Sequence, residues 1–137
     1  MSSGFPYHYE LKVRFRDVDM MGHVNNAVYL TYLEEGRTGF GGWIFKGRPE
    51  FRKIGYIVAS VKINYRAPAF YREYLRIYLR VKEMGNTSFV FQYEIRKRDT
   101  DELVADAESV QVMFDYQEEK KYAIPGEMRK LFQERAM

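Results

Sequence analysis

Hydrophobic and polar positions alternate from Tyr7 to Arg16, with Tyr9, Leu11, Val13 and Phe15 on one side and Lys12, Arg14 and Arg16 on the other. That period of two predicts a half-buried strand. The alternation breaks over Asp17–Asn26, where two aspartates, Gly22 and paired asparagines predict a loop running into a helix start, with Asn25 or Asn26 accepting from a first-turn N–H. From Ala27 to Phe40 the spacing becomes helical: Leu30, Leu33 and Arg37 share one side, beside Ala27, Thr31 and Glu34. Gly36 and Gly39 weaken that helix but permit close approach of a sheet, and Gly41-Gly42 is expected to end it.

After a polar loop over Lys46–Gly55, alternation returns. Ile57, Ala59, Val61, Ile63 and Tyr65 form one predicted face and Val58, Ser60, Lys62, Asn64 and Arg66 the other, with Pro68 marking an end, bulge or edge. Tyr74–Val81, Phe89–Arg96 and Leu103–Phe114 read as three more strands, separated by turn signals at Gly85-Asn86 and Asp99–Glu102. Connections this short predict antiparallel pairing of successive strands. Pro125, at the first helical position, and the stripe Met128, Leu131 and Phe132 predict a short closing helix. The order is strand, loop, long helix, four strands, short helix: an α+β chain whose sheet has one face covered by the long helix. The other face keeps enough apolar and aromatic residues for a partner subunit to cover part of it.

Length and composition narrow the class. The chain has 137 residues, 46% of them hydrophobic and 17% aromatic, which suits one folded domain over 1–137. It has no cysteine, so disulfides, thiolate nucleophiles and cysteine-ligated zinc are excluded. Met1-Ser2-Ser3-Gly4 lacks the basic start and apolar run of an export signal, and no stretch has the length of a membrane span, so a cytoplasmic location is expected. The net charge is +3, but residues 51–100 hold eleven Lys and Arg against four Asp and Glu, a surplus of +7. An anionic partner is therefore expected there. Specific nucleic-acid binding is not expected, because the cations are spread over alternating segments and not gathered in a recognition helix.

The chemistry concentrates in Asp17-Val18-Asp19-Met20-Met21-Gly22-His23-Val24-Asn25-Asn26. Carboxylates, an imidazole and amides crowd a strand-to-helix junction, where first-turn N–H groups stabilise an oxyanion while a carboxylate attacks a carbonyl or activates water. The same residue types also serve ordinary turns and caps, and a lone histidine such as His23 is more often a structural hydrogen-bonder. No nucleophile elbow, phosphate loop or dinucleotide fingerprint is present. With His8 and His23 as the only histidines, no metal centre is expected.

Asp17, Asp19, Gly22, His23, Val24 and Tyr29 fit the pattern D-x-D-x-x-G-[HI]-V-x-x-x-x-Y. The segment thus resembles the hotdog-fold acyl-CoA thioesterases, in particular the 4-hydroxybenzoyl-CoA thioesterase-like branch. His23-Val24-Asn25-Asn26 also resembles acyl-ACP thioesterases, and Tyr65-Arg66-Ala67-Pro68-Ala69 resembles the family's second-strand ending. The resemblance covers about residues 7–116. It implies a five-stranded antiparallel sheet wrapped around one long helix, sheets joined edge to edge in a homodimer with sites at the interface, and dimers paired into a homotetramer.

It also implies that Asp19 is the catalytic carboxylate, nucleophile or general base, with Asp17 orienting the loop. Val24 or a neighbour would donate the oxyanion N–H, and His23 and Asn26 would assist. Asn25, Tyr29, Tyr32, Glu34, Val58 and Phe89 would line the acyl pocket. Lys62, Arg66, Arg96 and Lys97 would attract the phosphates of coenzyme A, which belongs to the substrate, so no separate cofactor is implied. The chain departs from the family in carrying Asn26 where relatives often have histidine, and Phe15 where they often have tyrosine. Asn26 cannot shuttle a proton near neutrality. Hydration or dehydration of an acyl thioester, and non-catalytic acyl-thioester binding, remain as alternatives.

Overall fold

The computed structural model describes residues 4–137, so Met1, Ser2 and Ser3 of the segment read for export lie outside the described residues. Strand β1 (Tyr7–Lys12) leads through the site loop to helix α1 (Val28–Ile44). Then follow β2 (Tyr56–Tyr65), β3 (Tyr74–Met84), β4 (Ser88–Lys97), β5 (Leu103–Asp115), a two-residue β6 (Lys120–Lys121) and helix α2 (Gly126–Arg135). The main sheet runs β1-β3-β4-β5-β2, antiparallel throughout and curled around α1, with β6 on β5. This is the hotdog architecture. Among the described residues, no helix is long and apolar enough to cross a membrane.

Successive strands are not always neighbours. β2 and β3 lie at different places in the sheet, and the segment between them crosses from the β2 edge toward β3. That crossing corrects the expectation of serial pairing, and it has a local consequence. Ala69 and Phe70 are carried against the site loop, where Val24 N–H donates to Ala69 C=O at 2.8 Å and His23 bridges to Phe70.

Departures from the periodicity near the site have local causes. β1 stops at Lys12 because Arg14–Asp17 closes a turn held by the Asp17 carboxylate. α1 continues past Gly41-Gly42 to Ile44, since Ile44 extends the buried stripe Tyr29, Tyr32, Leu33, Gly36 and Phe40. Tertiary burial outweighs glycine propensity there. In β2 a register irregularity between Val58 and Ser60 shifts the alternation by one. Opposed residues of an antiparallel pair share a face. Tyr56, Val58, Val61, Ile63 and Tyr65 therefore face inward with Met113, Gln111, Ser109, Ala107 and Ala105, and Ile57 faces out.

The core lies between α1 and the inner face of β1, β3 and β4. Gly36 and Gly39 set the approach: a Cβ on Gly36 would stand 2.7 Å from Ile77 Cγ2, and one on Gly39 would meet the Tyr7 hydroxyl and the Tyr9 ring. α2 closes one end, its buried Met128, Leu131 and Phe132 stacking Phe132 edge-on against Phe40 and Phe89. The inner face of edge strand β2 stays open, with Val58 39%, Val61 38% and Tyr65 46% exposed.

Candidate active site

The two aspartates of the loop have opposite environments. Asp17 is 2% exposed, and its carboxylate accepts from Arg14 N–H (3.0 Å), the Arg14 guanidinium (3.1 Å) and the Tyr32 hydroxyl (2.7 Å). Burial alone would raise its pKa, but the hydrogen bonds from Arg14 and Tyr32 together outweigh it and hold the carboxyl below its ordinary value. Asp17 also receives Asn25 N–H on its backbone C=O at 3.0 Å, tying the loop to the approach of α1.

Asp19 sits at the rim. Its N–H donates to His23 C=O and its C=O accepts from Gly22 N–H, both at 3.0 Å. Gly22 has φ +87°, a conformation glycine adopts without the Cβ penalty. The Asp19 side chain is 34% exposed, with Oδ1 accepting from Met21 N–H at 2.9 Å and Oδ2 3.5 Å from His23 Nδ1. The His23 ring lies 6.5 Å from that of Phe70.

The amides leading into α1 are almost all engaged. Val24 donates to Ala69 C=O, Asn25 to Asp17 C=O, Ala27 to Asn25 Oδ1 at 2.9 Å and Val28 to Asn25 C=O at 2.9 Å. This corrects Val24 as oxyanion donor: its N–H already holds the crossing segment. The Asn26 N–H has no partner among the described residues. Asn26 C=O accepts from Tyr65 O–H at 3.1 Å, joining the helix entrance to the end of β2.

The remaining expected site residues are scattered. Tyr29 is buried, its ring 5.4 Å from Tyr65, and burial chiefly pushes its pKa up to about 12, against a hydrogen bond from the Ala69 backbone. Tyr32 is not a pocket residue: it is buried and committed to Asp17. Phe89 is likewise fully buried among Tyr56, Phe91 and Phe132. Glu34 is on the exposed side of α1, and Val58 is on the open inner face of β2.

The four expected phosphate-binding cations do not form one cluster. Lys62 is opposite Glu108 on the outer face. Arg66 pairs with Asp106 at 2.7 Å and Arg96 with Glu94 at 2.9 Å. Lys97 lies between Glu73 and Glu102 with Phe70 beneath it. Alternation along strands shares the cations out beside carboxylates, which a regional charge count cannot show. Residues that sequence reasoning left out are Arg14, whose side chain holds Asp17, and Tyr65 as the hydroxyl at the helix entrance. Each acts through a partner that local spacing does not reveal.

Comparison with known proteins places this arrangement. The model of the thioesterase-like superfamily matches residues 13–132. The chain belongs to that superfamily. Among its relatives, the long-chain acyl-CoA thioesterase FadM of Escherichia coli is 32% identical over 125 residues, covering 88% of this chain and 92% of FadM. A thioesterase of Thermus thermophilus, solved in complex with coenzyme A and zinc, has a TM-score of 0.83 at 26% identity, with 96% of this chain and 95% of that one covered. The probable thioesterase YbaW of Escherichia coli has a TM-score of 0.79 at 29% identity, with 95% and 98% covered. In this member of the superfamily, the loop between β1 and α1 holds both the part-exposed Asp19 carboxylate and the Asn26 N–H that has no partner among the described residues.

Proposed function

We propose that this chain, a thioester hydrolase of the hotdog class, cleaves acyl-CoA thioesters with Asp19 as the catalytic carboxylate. One observation carries the assignment: Asp17 is enclosed and hydrogen-bonded, whereas Asp19 keeps a carboxylate at the surface of the same loop. Asn26 N–H, free of protein partners among the described residues, takes the oxyanion role expected of Val24. Asp19 either attacks the carbonyl carbon or draws the proton from a water that does. The negative charge then collects on the carbonyl oxygen, where a fixed N–H stabilises it, before the C–S bond breaks and the thiolate of coenzyme A leaves. His23, 3.5 Å from Asp19 Oδ2, orients that carboxylate. Support for a coenzyme A carrier comes from the named activity of FadM and the ligand of the Thermus thermophilus structure. Two copies joined along their β2 edges would continue the sheet from one copy to the other, as the dimer reading requires.

Thiol release from a panel of straight-chain, aromatic and carrier-protein thioesters tests the reading. Asp19→Asn should lose about 10²–10⁴-fold in rate, the usual worth of a positioned acid–base group. A D19N enzyme that works at the wild-type rate would falsify the assignment. The His23–Asp19 pair also favours a second reading, hydration of an enoyl thioester. Product analysis separates the two, because hydration leaves coenzyme A attached.

A further inference from the structure

A polar chain crosses the apolar interior beside α1. Arg37 donates to the Tyr93 hydroxyl at 3.1 Å, Tyr93 meets Ser109 Oγ at 2.5 Å, and Ser109 donates to Gln111 Oε1. Gln111 Nε2 then donates to the carbonyls of Phe89 (3.2 Å) and Ser109 (3.1 Å). Tyr93, Ser109 and Gln111 are fully buried, so the chain is fixed at its inner end by backbone and has a direction: each hydroxyl gives its proton inward. The outer end is a half-buried guanidinium. Arg37 offers several N–H donors, and among the described residues no carboxylate lies within ion-pair distance of it. Glu34, one turn earlier, makes no such pair.

The position of that cation relative to the reaction centre is set by the fold. Arg37 is nine positions past Val28, about 13 Å along the helix axis. It shares a helix flank with Leu30, two turns earlier, and Leu30 is half exposed. Tyr93 and Ser109 lie in register with Ala107, Ile63 and Val61 across β4, β5 and β2. The flank therefore faces the open inner side of β2, whose other end is Tyr65 at the helix entrance. An apolar strip bounded by Leu30, Val61 and Tyr65 thus runs from the Asn26 end to an arginine that has no carboxylate partner among the described residues. An extended acyl chain of 1.5 Å bonds covers that span in roughly eight to ten carbons.

We infer that Arg37 receives a carboxylate at the far end of the acyl chain, so that the preferred substrates are ω-carboxyacyl thioesters of coenzyme A, the monothioesters of medium-chain dicarboxylic acids. A half-buried guanidinium at the end of an apolar strip, with no carboxylate beside it among the described residues, is placed to receive an anionic group, and a carboxylate matches its paired N–H geometry. A plain alkyl end would make no such contact. The inference rests on the reading of Asp19 and Asn26 as the reaction centre. The reaction is unchanged: water adds at the thioester carbon, the C–S bond breaks, and a dicarboxylic acid and the free thiol of coenzyme A result.

The test is the ratio of kcat/KM for sebacoyl-CoA over decanoyl-CoA, chains of equal length that differ in the terminal carboxylate. The wild type should favour sebacoyl-CoA by about 10²-fold, the discrimination a charged hydrogen-bonding site provides. Arg37→Gln should bring the ratio near unity, and Arg37→Lys should restore part of it. Should the Gln variant fail to fold, Val61→Glu places a carboxylate on the facing strand at an exposed position and should abolish the preference by neutralising Arg37 from within. A wild-type ratio at or below one, or a ratio unmoved by these changes, overturns the inference while leaving hydrolysis itself intact. Absence of Asp19-dependent thiol release from either thioester instead removes the underlying reading, and with it this one.

Discussion

The two flanks of α1 do different work. On the flank toward β1 and β3, glycines bring the helix against Ile77, Tyr7 and Tyr9, and Tyr32 continues the buried stripe to Asp17. On the flank toward β2, Leu30, Arg37, Val61 and Tyr65 leave an open strip that begins beside Asn26. The closed flank makes the helix a fixed rod, and the proposed reaction centre lies toward the open flank. Asp17 and Asp19, two residues apart, divide the same way: one anchors the loop and the other is presented by it.

Substitutions can break this division in decreasing order of effect. Asn26→Pro removes the free N–H at the helix entrance, where proline is tolerated. It should lower kcat by about 10²-fold, the usual loss on removing one oxyanion donor, with thermal stability little changed. An Asn26→Pro enzyme of normal kcat would move the oxyanion site elsewhere.

Asp17→Asn should act on the closed side, costing about 1–3 kcal/mol by leaving the Tyr32 hydroxyl and Arg14 amide poorly matched. The exposed part of the Arg14 pair adds little through solvent. Because the folded pKa of Asp17 is lowered, its contribution is complete above the unfolded value of about 3.9 and is lost as pH falls through the folded value. Thermal melts between pH 5 and 2 should therefore show the wild type losing stability more steeply than D17N. Parallel curves would mean that Asp17 is not the anchor.

Gly36→Ala should cost about 1 kcal/mol: overpacking against Ile77 exceeds the gain in helix propensity. Leu30→Ala, on the open flank, should stay within about 0.5 kcal/mol in the same melts. Equal losses at the two positions would erase the difference between flanks.

Much of this organisation is legible in the sequence. Alternation gives the strands, and Leu30, Leu33 and Arg37 on one side of α1 already place a cation beside apolar positions. Gly36 and Gly39 already speak for a close sheet. What alternation cannot give is the one-residue irregularity at Val58–Ser60, which moves Val58 inward. It also cannot give the crossing of residues 66–73 that engages Val24. The hydrogen bonds on which the proposed site rests join distant positions: Asp17 with Tyr32, Asn26 with Tyr65, Arg37 with Tyr93. Such pairings follow from sheet order, and local spacing carries no trace of them. The regional cation surplus is silent on pairing for the same reason: it does not show that Asp106 of β5 comes beside Arg66.

The most direct measurement sets D17N and D19N side by side, with thiol release and thermal unfolding recorded on the same preparations. D19N should keep the wild-type melting temperature and lose at least about 10²-fold in rate, while D17N should show the larger drop in melting temperature. The reverse pattern, a D17N enzyme stable but inactive beside a fully active D19N, would contradict the assignment of Asp19.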